Sequence, residues 1–217
     1  MKIFTRCLLV LILPFALAGP SLAAGYTEGK EYVRLANPQP TNNAEQIEVR
    51  ELFWYGCPHC YRLEPYLDKW LESKPDDVDF VRTPAIVGPP WQLLAQAYYT
   101  SEYLGVTDKT HNAIFDTIHK DRKKIVAPED VKAVFLDAGV SAEDFDKTFN
   151  SFAVSVKVNN ARLLTKRYAI NGVPTVIVNG KYSVSASSAG SNQNILKVVD
   201  YLVEQERRAA PVAAARP

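Results

Sequence analysis

The hydrophobic period of this chain changes at Cys57, and that change limits the folds open to it. Residues 47–55 (IEVRELFWY) read as a strand. Beyond them Leu63, Tyr66, Leu67, Trp70 and Leu71 recur at i, i+3, i+4, i+7 and i+8, one apolar face of a helix, with Arg62, Glu64, Asp68 and Lys69 off that face. The segment Cys57-Pro58-His59-Cys60 therefore stands at a strand-to-helix junction. Pro58 fits the first helical position. Pro65 cannot donate to the carbonyl of Tyr61 and predicts a kink or break one turn in.

The rest of the chain extends this pattern. Residues 78–82 predict a second strand, and residues 92–104, 109–119, 128–138 and 142–168 predict a helical block, the last stretch with a break. Ser141 with Asp144 resembles a capping box, Pro128 can open a helix and Gly139 can close one. "TVIVNGKYSV" reads as two short strands joined by a two-residue turn at Asn179-Gly180. Ile195, Val198, Val199, Leu202 and Val203 give a final amphipathic helix. The segment before residue 47 is polar and turn-rich, and the tail at residues 208–217 is too poor in large apolar groups to pack, so disorder is expected there. Between Cys57 and Pro174 the chain runs more than twice the about 40 to 50 residues that a helix, a strand and a second helix need. The excess predicts an inserted helical subdomain.

The first residues read as a leader. Lys2 and Arg6 precede an apolar run at residues 7–18, Pro14 interrupts it, and Ser21-Leu22-Ala23 offers a cleavage site. A membrane anchor would need roughly 20 apolar residues, so residues 1–23 are expected to be a secretory signal peptide. Cys7 leaves with it, and Cys57 and Cys60 remain as one pair in an oxidising compartment. The chain holds 25 Lys and Arg against 24 Asp and Glu. With Lys2 and Arg6 removed the signs nearly balance, and nothing there calls for nucleic acid or an anionic membrane.

Several chemistries compete for the pair. As a staple it closes a very small loop worth about 2 kcal/mol. Zinc wants four ligands, and His111 and His119 stand apart from the pair, where surface helix positions are the expectation. A c-type haem site needs histidine directly after the second cysteine, and Tyr61 is there. Redox exchange accounts for more. A thiolate at a helix N-terminus is favoured by the free N–H groups and the helix dipole, and the imidazole of His59 can add to that. Cys57 is then the nucleophile, and Cys60, one turn further in, the resolving thiol. Stabilising the Cys57 thiolate makes the disulfide a better oxidant by about 30 mV for each pKa unit of depression. A protein of another class, a groove-bearing binding protein with a passive disulfide, is the alternative.

"GYTEGKEYVRL", "ELFWYGCPHCYRLEP", "DAGVSAEDFD" and "NGVPTVIVNGKY", in this order, resemble the thioredoxin superfamily and, within it, the DsbA family of periplasmic thiol oxidases. The resemblance covers nearly all of residues 25–206. It implies an α/β thioredoxin fold, with residues 24–84 and 169–207 forming the thioredoxin-like domain and residues 85–168 the inserted helical subdomain. It implies catalysis by Cys57 and Cys60 with Pro58 and His59 between them. Pro174 matches a cis-proline facing the cysteines, and Val173 the residue that contacts the client backbone. Glu51 matches a buried acid that moves protons for Cys60. Arg82 falls near a position often held by lysine, and an arginine there can pair with an acid but not relay its proton. "TPAIVGPPWQ" departs from the best-known pattern, so the surface around Pro89, Pro90 and Trp91 can differ in partner preference. The implied activity is donation of the Cys57-Cys60 disulfide to newly exported proteins with cysteine pairs. No metal or organic cofactor is implied. The reoxidising partner would be a membrane quinone reductase of the DsbB type, the location the periplasm, and a monomer is the default, since no coiled-coil repeat or spare domain is present.

Overall fold

Buried on both faces, the strand that precedes the cysteines lies inside a sheet. A computed structural model describes residues 25–209, in the order β1 (Val33–Arg34), β2 (Ile47–Phe53), α1 (Pro58–Leu71) and β3 (Val78–Pro84), then five helices. These are α2 (Pro89–Leu104), α3 (Thr107–His119), α4 (Pro128–Asp137), α5 (Ala142–Phe149) and α6 (Phe152–Arg167). β4 (Thr175–Val178), β5 (Tyr182–Ser185), α7 (Ala186–Ala189) and α8 (Asn192–Ala209) complete the chain. The five strands form one sheet in the order β1-β5-β4-β2-β3, with β2 parallel to β3 and antiparallel to β4. This is the thioredoxin fold with a helical insertion. Among the described residues no helix is long and apolar enough to cross a membrane.

Alternation along β2 assigns its side chains to two faces. Val49, Glu51 and Phe53 share one face, and Glu48, Arg50 and Leu52 the other. On the first face Val49, Val176 and Val178 pack with Leu63, Leu67 and Trp70 of α1 and with Ile195, Val199 and Leu202 of α8. Each fully buried Leu, Ile or Phe contributes about 1.5–3 kcal/mol. A second cluster joins Phe53, Tyr55, Cys57 and Cys60 to Tyr98, Ile114, Phe115 and Phe135 of the helical segment. The core that holds the cysteines is thus continuous with that of the insertion.

Several expectations are corrected. α1 runs without a break through Pro65, whose side chain is exposed on the helix's outer side. β1 was not expected: it pairs antiparallel with β5, Val33 opposite Ser183. The hairpin is one residue longer than a two-residue turn, because Val178 pairs with Tyr182 and Lys181 is left in the connection. Asn179 and Gly180 still take positive φ, 49° and 64°, and the Lys181 N–H closes the turn on the Val178 carbonyl at 3.0 Å. A Cβ on Gly180 would stand 2.0 Å from the Gln39 carbonyl oxygen, so this turn needs glycine for space as well as for φ. α8 continues to Ala209, two residues into the stretch expected to be unpacked. The rest of that tail and the leader at residues 1–23 lie outside the described residues.

Candidate active site

The loop Trp54-Tyr55-Gly56 carries the chain from β2 into α1 and ends in a turn closed by the Cys57 N–H on the Trp54 carbonyl at 2.9 Å. Cys57 is the N-cap of α1, in extended conformation, with Pro58 opening the helix. The thiol therefore stands where unpaired N–H groups and the positive helix end converge. The two cysteines are free thiols, Cys57 8% exposed and Cys60 fully buried.

Their electrostatics diverge. The Cys57 thiol is lowered to about 6, first by a hydrogen bond from the Cys60 thiol, against the opposing cost of its own burial. The backbone N–H groups of Cys60 and His59 and the charge of His59 add to the lowering. Burial raises Cys60 well above the usual thiol range, and the neighbouring Cys57 and Glu51 push it the same way. One thiol is thus a ready thiolate at neutral pH and its partner a thiol that keeps its proton.

Strand β4 closes the site from the other side. The peptide bond between Val173 and Pro174 is cis, and Cys57 Sγ lies 3.3 Å from the Val173 carbonyl oxygen. A cleft of about 440 Å³ beside this contact is lined by His59, Asn171, Val173, Pro174, Ser187 and Ser191 among others. His59 is exposed on its rim, with Nδ1 3.0 Å from Arg62 Nη2. In the loop before Cys57, Trp54 stacks on Trp91 with ring centroids 4.3 Å apart and planes inclined by 13°. Gly56 makes room for that stack, because a Cβ there would meet the Trp54 ring at 2.4 Å.

Glu51 is fully buried, on the same face of β2 as Phe53. Register sets it opposite Arg82 of β3, whose Nε is 3.3 Å from Glu51 Oε2. Burial and the charge of Glu64 push the Glu51 carboxyl up to about 8, against the pull of Arg82. The pairing with Arg82 allowed by the sequence is present as a close approach to a carboxyl that keeps its proton at neutral pH, and Arg82 also donates from Nη2 to Glu64 Oε2 at 2.9 Å.

The sequence-predicted residues Cys57, Cys60, Pro58, His59, Val173 and Pro174 come together around one thiol, with Glu51 on the strand leading into it. Two further groups were misplaced. Glu64, expected off the apolar face, is buried in α1 one turn beyond Cys60. His111, expected on the surface, is 6% exposed, with Nδ1 2.8 Å from the Tyr55 hydroxyl and Nε2 3.2 Å from Glu64 Oε2. The spacing of His111, Ile114, Phe115 and Ile118 is that of an inward helix face and could have shown this. His119 is also engaged: its Nε2–H donates to the Tyr55 carbonyl at 2.7 Å and its ring stacks on Tyr61. Helix α3 therefore grips the loop that presents Cys57. Among the described residues, no group of three or more His, Cys, Asp or Glu side chains is arranged to hold a metal ion.

The profile of the DSBA-like thioredoxin domain matches residues 48–197. A protein of Pseudomonas aeruginosa named thiol:disulfide interchange protein DsbA is 47% identical over 188 residues, covering 87% of this chain and 89% of that one. A protein of the same name from Azotobacter vinelandii is 44% identical over 210 residues, covering 92% and 98%. The crystal structure of Pseudomonas aeruginosa DsbA superposes with a TM-score of 0.82 at 48% identity, over 85% of this chain and 96% of that one.

Proposed function

The chain belongs to the DSBA-like thioredoxin domain family, and from that membership we propose a catalytic cycle for its thiol:disulfide oxidoreductase activity in which the disulfide is that of Cys57 and Cys60. A client thiolate attacks Cys57 Sγ, the Cys57–Cys60 bond breaks, and Cys60 leaves as a thiolate that takes up a proton. The client's second thiolate then attacks its own sulfur in the mixed disulfide and expels Cys57 as a thiolate. Two electrons pass from client to enzyme, and the client gains one disulfide. The observation that carries this assignment is Cys57 at the N-cap of α1: a leaving thiol lowered to about 6 departs readily at neutral pH.

In this reading the remaining residues divide the work. Pro58 starts the helix and His59 adds positive charge beside Cys57. Val173 and Pro174 hold the client's backbone in the cleft beside them. Glu51, carrying a proton at neutral pH, delivers it to the departing Cys60 and takes it back on reoxidation. The segment 85–168 acts as a subdomain covering the site, and residues 24–84 and 169–207 act as the thioredoxin-like domain. The chemistry uses the chain's own disulfide and needs no metal or organic cofactor. Clients are unfolded exported proteins in the periplasm, reached after loss of residues 1–23, and a membrane quinone reductase of the DsbB type restores the disulfide. The chain acts as a monomer.

The test is the reduction potential of the Cys57–Cys60 couple, measured by equilibrating the protein with graded glutathione buffers and trapping free thiols. A value near −120 mV, which is the potential of DsbA itself and is taken over from that family, is expected. A value near −270 mV, as in thioredoxin, would make the protein a reductant and overturn the oxidising cycle.

A further inference from the structure

Glu51 of β2, Glu64 of α1, Arg82 of β3 and His111 of α3 form one buried cluster in which two carboxyls share a single guanidinium. With both carboxyls ionised and the imidazole neutral the cluster has one negative charge in excess. One added proton makes it neutral, and away from water the neutral form is favoured. Which carboxyl takes that proton depends on which has the better donors. Glu64 Oε2 accepts from Arg82 Nη2 at 2.9 Å and faces His111 Nε2 at 3.2 Å. Glu51 faces only Arg82 Nε, at 3.3 Å, and neither of its oxygens accepts an aligned hydrogen bond.

The imidazole is oriented from behind. Its Nδ1 lies 2.8 Å from the Tyr55 hydroxyl. A bare Nε2 lone pair would repel a carboxylate oxygen 3.2 Å away, so the hydrogen sits on Nε2 and the Tyr55 hydroxyl donates to Nδ1. The contact with Glu64 is close but off the N–H line, which makes it chiefly electrostatic.

We propose that His111 is a positioning residue of the exchange site: it holds Glu64 as the ionised member of the pair and so leaves Glu51 as the carboxyl that carries the shared proton. Other groups face the cluster without competing for that proton. Asp68 lies 4.0 Å from Arg82 Nη2 and is more than half exposed. Tyr98 of α2, with its ring 6.1 Å from the imidazole, and Tyr55 are raised by burial and remain hydroxyls. Cys60 is raised by burial and stays a thiol. The consequence for catalysis rests on the proton role given to Glu51 above.

The experiment is carboxyl carbon NMR of the reduced protein from pH 5 to 10, in the wild type and in His111→Phe and His111→Gln. Gln can present an N–H towards Glu64 and a carbonyl towards Tyr55, whereas Phe can present neither. In His111→Phe the Glu51 transition is expected to fall by about one pKa unit or more, a tenfold change in proton occupancy, with that of Glu64 rising. In His111→Gln it is expected to stay near the wild-type position. A Glu51 transition unmoved in folded His111→Phe overturns the proposal, and so does His111→Gln shifting as far as His111→Phe. Ring nitrogen shifts in the wild type test it without any substitution: hydrogen on Nε2 is expected, and hydrogen on Nδ1 alone overturns it. The pH profile of mixed-disulfide formation by the oxidised protein, recorded beside the titration, separates the two readings. A moved Glu51 transition with an unmoved formation profile supports the placement of the proton by His111 and removes Glu51 from catalysis.

Discussion

Cys57 Sγ lies 3.3 Å from the carbonyl oxygen of Val173, a residue 116 positions further along the chain. The sulfur that a client attacks and the backbone edge that would receive that client are thereby fixed to each other, on an N-cap and a strand entry. Disulfide exchange requires three sulfurs nearly in line, and this pairing constrains the direction from which the third arrives.

Substituting the cysteines one at a time should separate their roles. Given an activated disulfide, Cys60→Ser is expected to accumulate mixed disulfides, because its Cys57 thiolate attacks the probe and expels the leaving thiolate while the resolving sulfur is gone. Cys57→Ser should form none, since Cys60 is fully buried and keeps its proton. Non-reducing electrophoresis of the two variants after exposure to an activated disulfide probe reads the difference. Equal adducts on both would contradict the assignment.

The stability gap between reduced and oxidised protein should widen with pH. The folded Cys57 thiol is lowered to about 6, so the unfolded chain binds more protons between that value and the ordinary thiol range of about 8.5. Its contribution is fully present above the unfolded value and is lost as pH falls through the folded one. Glu51 titrates in both redox forms and largely cancels from the difference. Melting curves of both forms at pH 5, 6, 7 and 8 should diverge upward, and a constant gap would show that the thiolate is not stabilised.

Glu51→Gln tests the buried acid. The Glu51 carboxyl is raised to about 8, so the folded state binds the extra proton from about pH 4.5 to 8 and stability declines over that window. The variant lacks this slope and should gain on the wild type as pH rises. Its reaction with a client thiolate to form the mixed disulfide should slow about 100-fold or more near pH 7, as when a positioned acid or base is removed. Stopped-flow rates of that step and melting temperatures check the two effects separately.

Gly56→Ala should damage both packing and rate. A methyl group at Gly56 meets three atoms of the Trp54 ring at 2.4 to 2.6 Å, so the Trp54–Trp91 stack or the loop must move. Overpacking of this kind costs about 1–3 kcal/mol, and a chain of this size loses about 2–4 °C of Tm for each kcal/mol. Tryptophan fluorescence should change with it, because the stack is disturbed directly.

Local features of the fold were legible in the sequence. The strand-to-helix junction, the helix end at Gly139, the existence of a break within residues 142–168, the Asn179-Gly180 turn and the last helix are all set by residues close along the chain, whereas the place of that break, near Asn150, was not read. The approach of Pro174 to Cys57 depends on tertiary folding and was available only through family resemblance. β1 was missed because two residues carry no period and its pairing depends on β5. Glu64 was misread because a polar residue beside an apolar stripe looks solvent-facing until another helix covers it. The charge cluster stayed hidden for the same reason: Glu51, Glu64, Arg82 and His111 lie on four elements, and only their assembly makes burial of the acids tolerable.

The first described strand has its partner almost at the other end of the chain. Val33 pairs with Ser183, and the Gln39 N–H donates to the Gly180 carbonyl at 2.9 Å. A ribosome delivers the N-terminal side first, so this arm emerges with nothing to dock on and waits for about 150 further residues, from Val33 to Ser183. Its closure over the hairpin therefore reports completion: the sheet gains its outer edge only after the site it serves has been delivered whole.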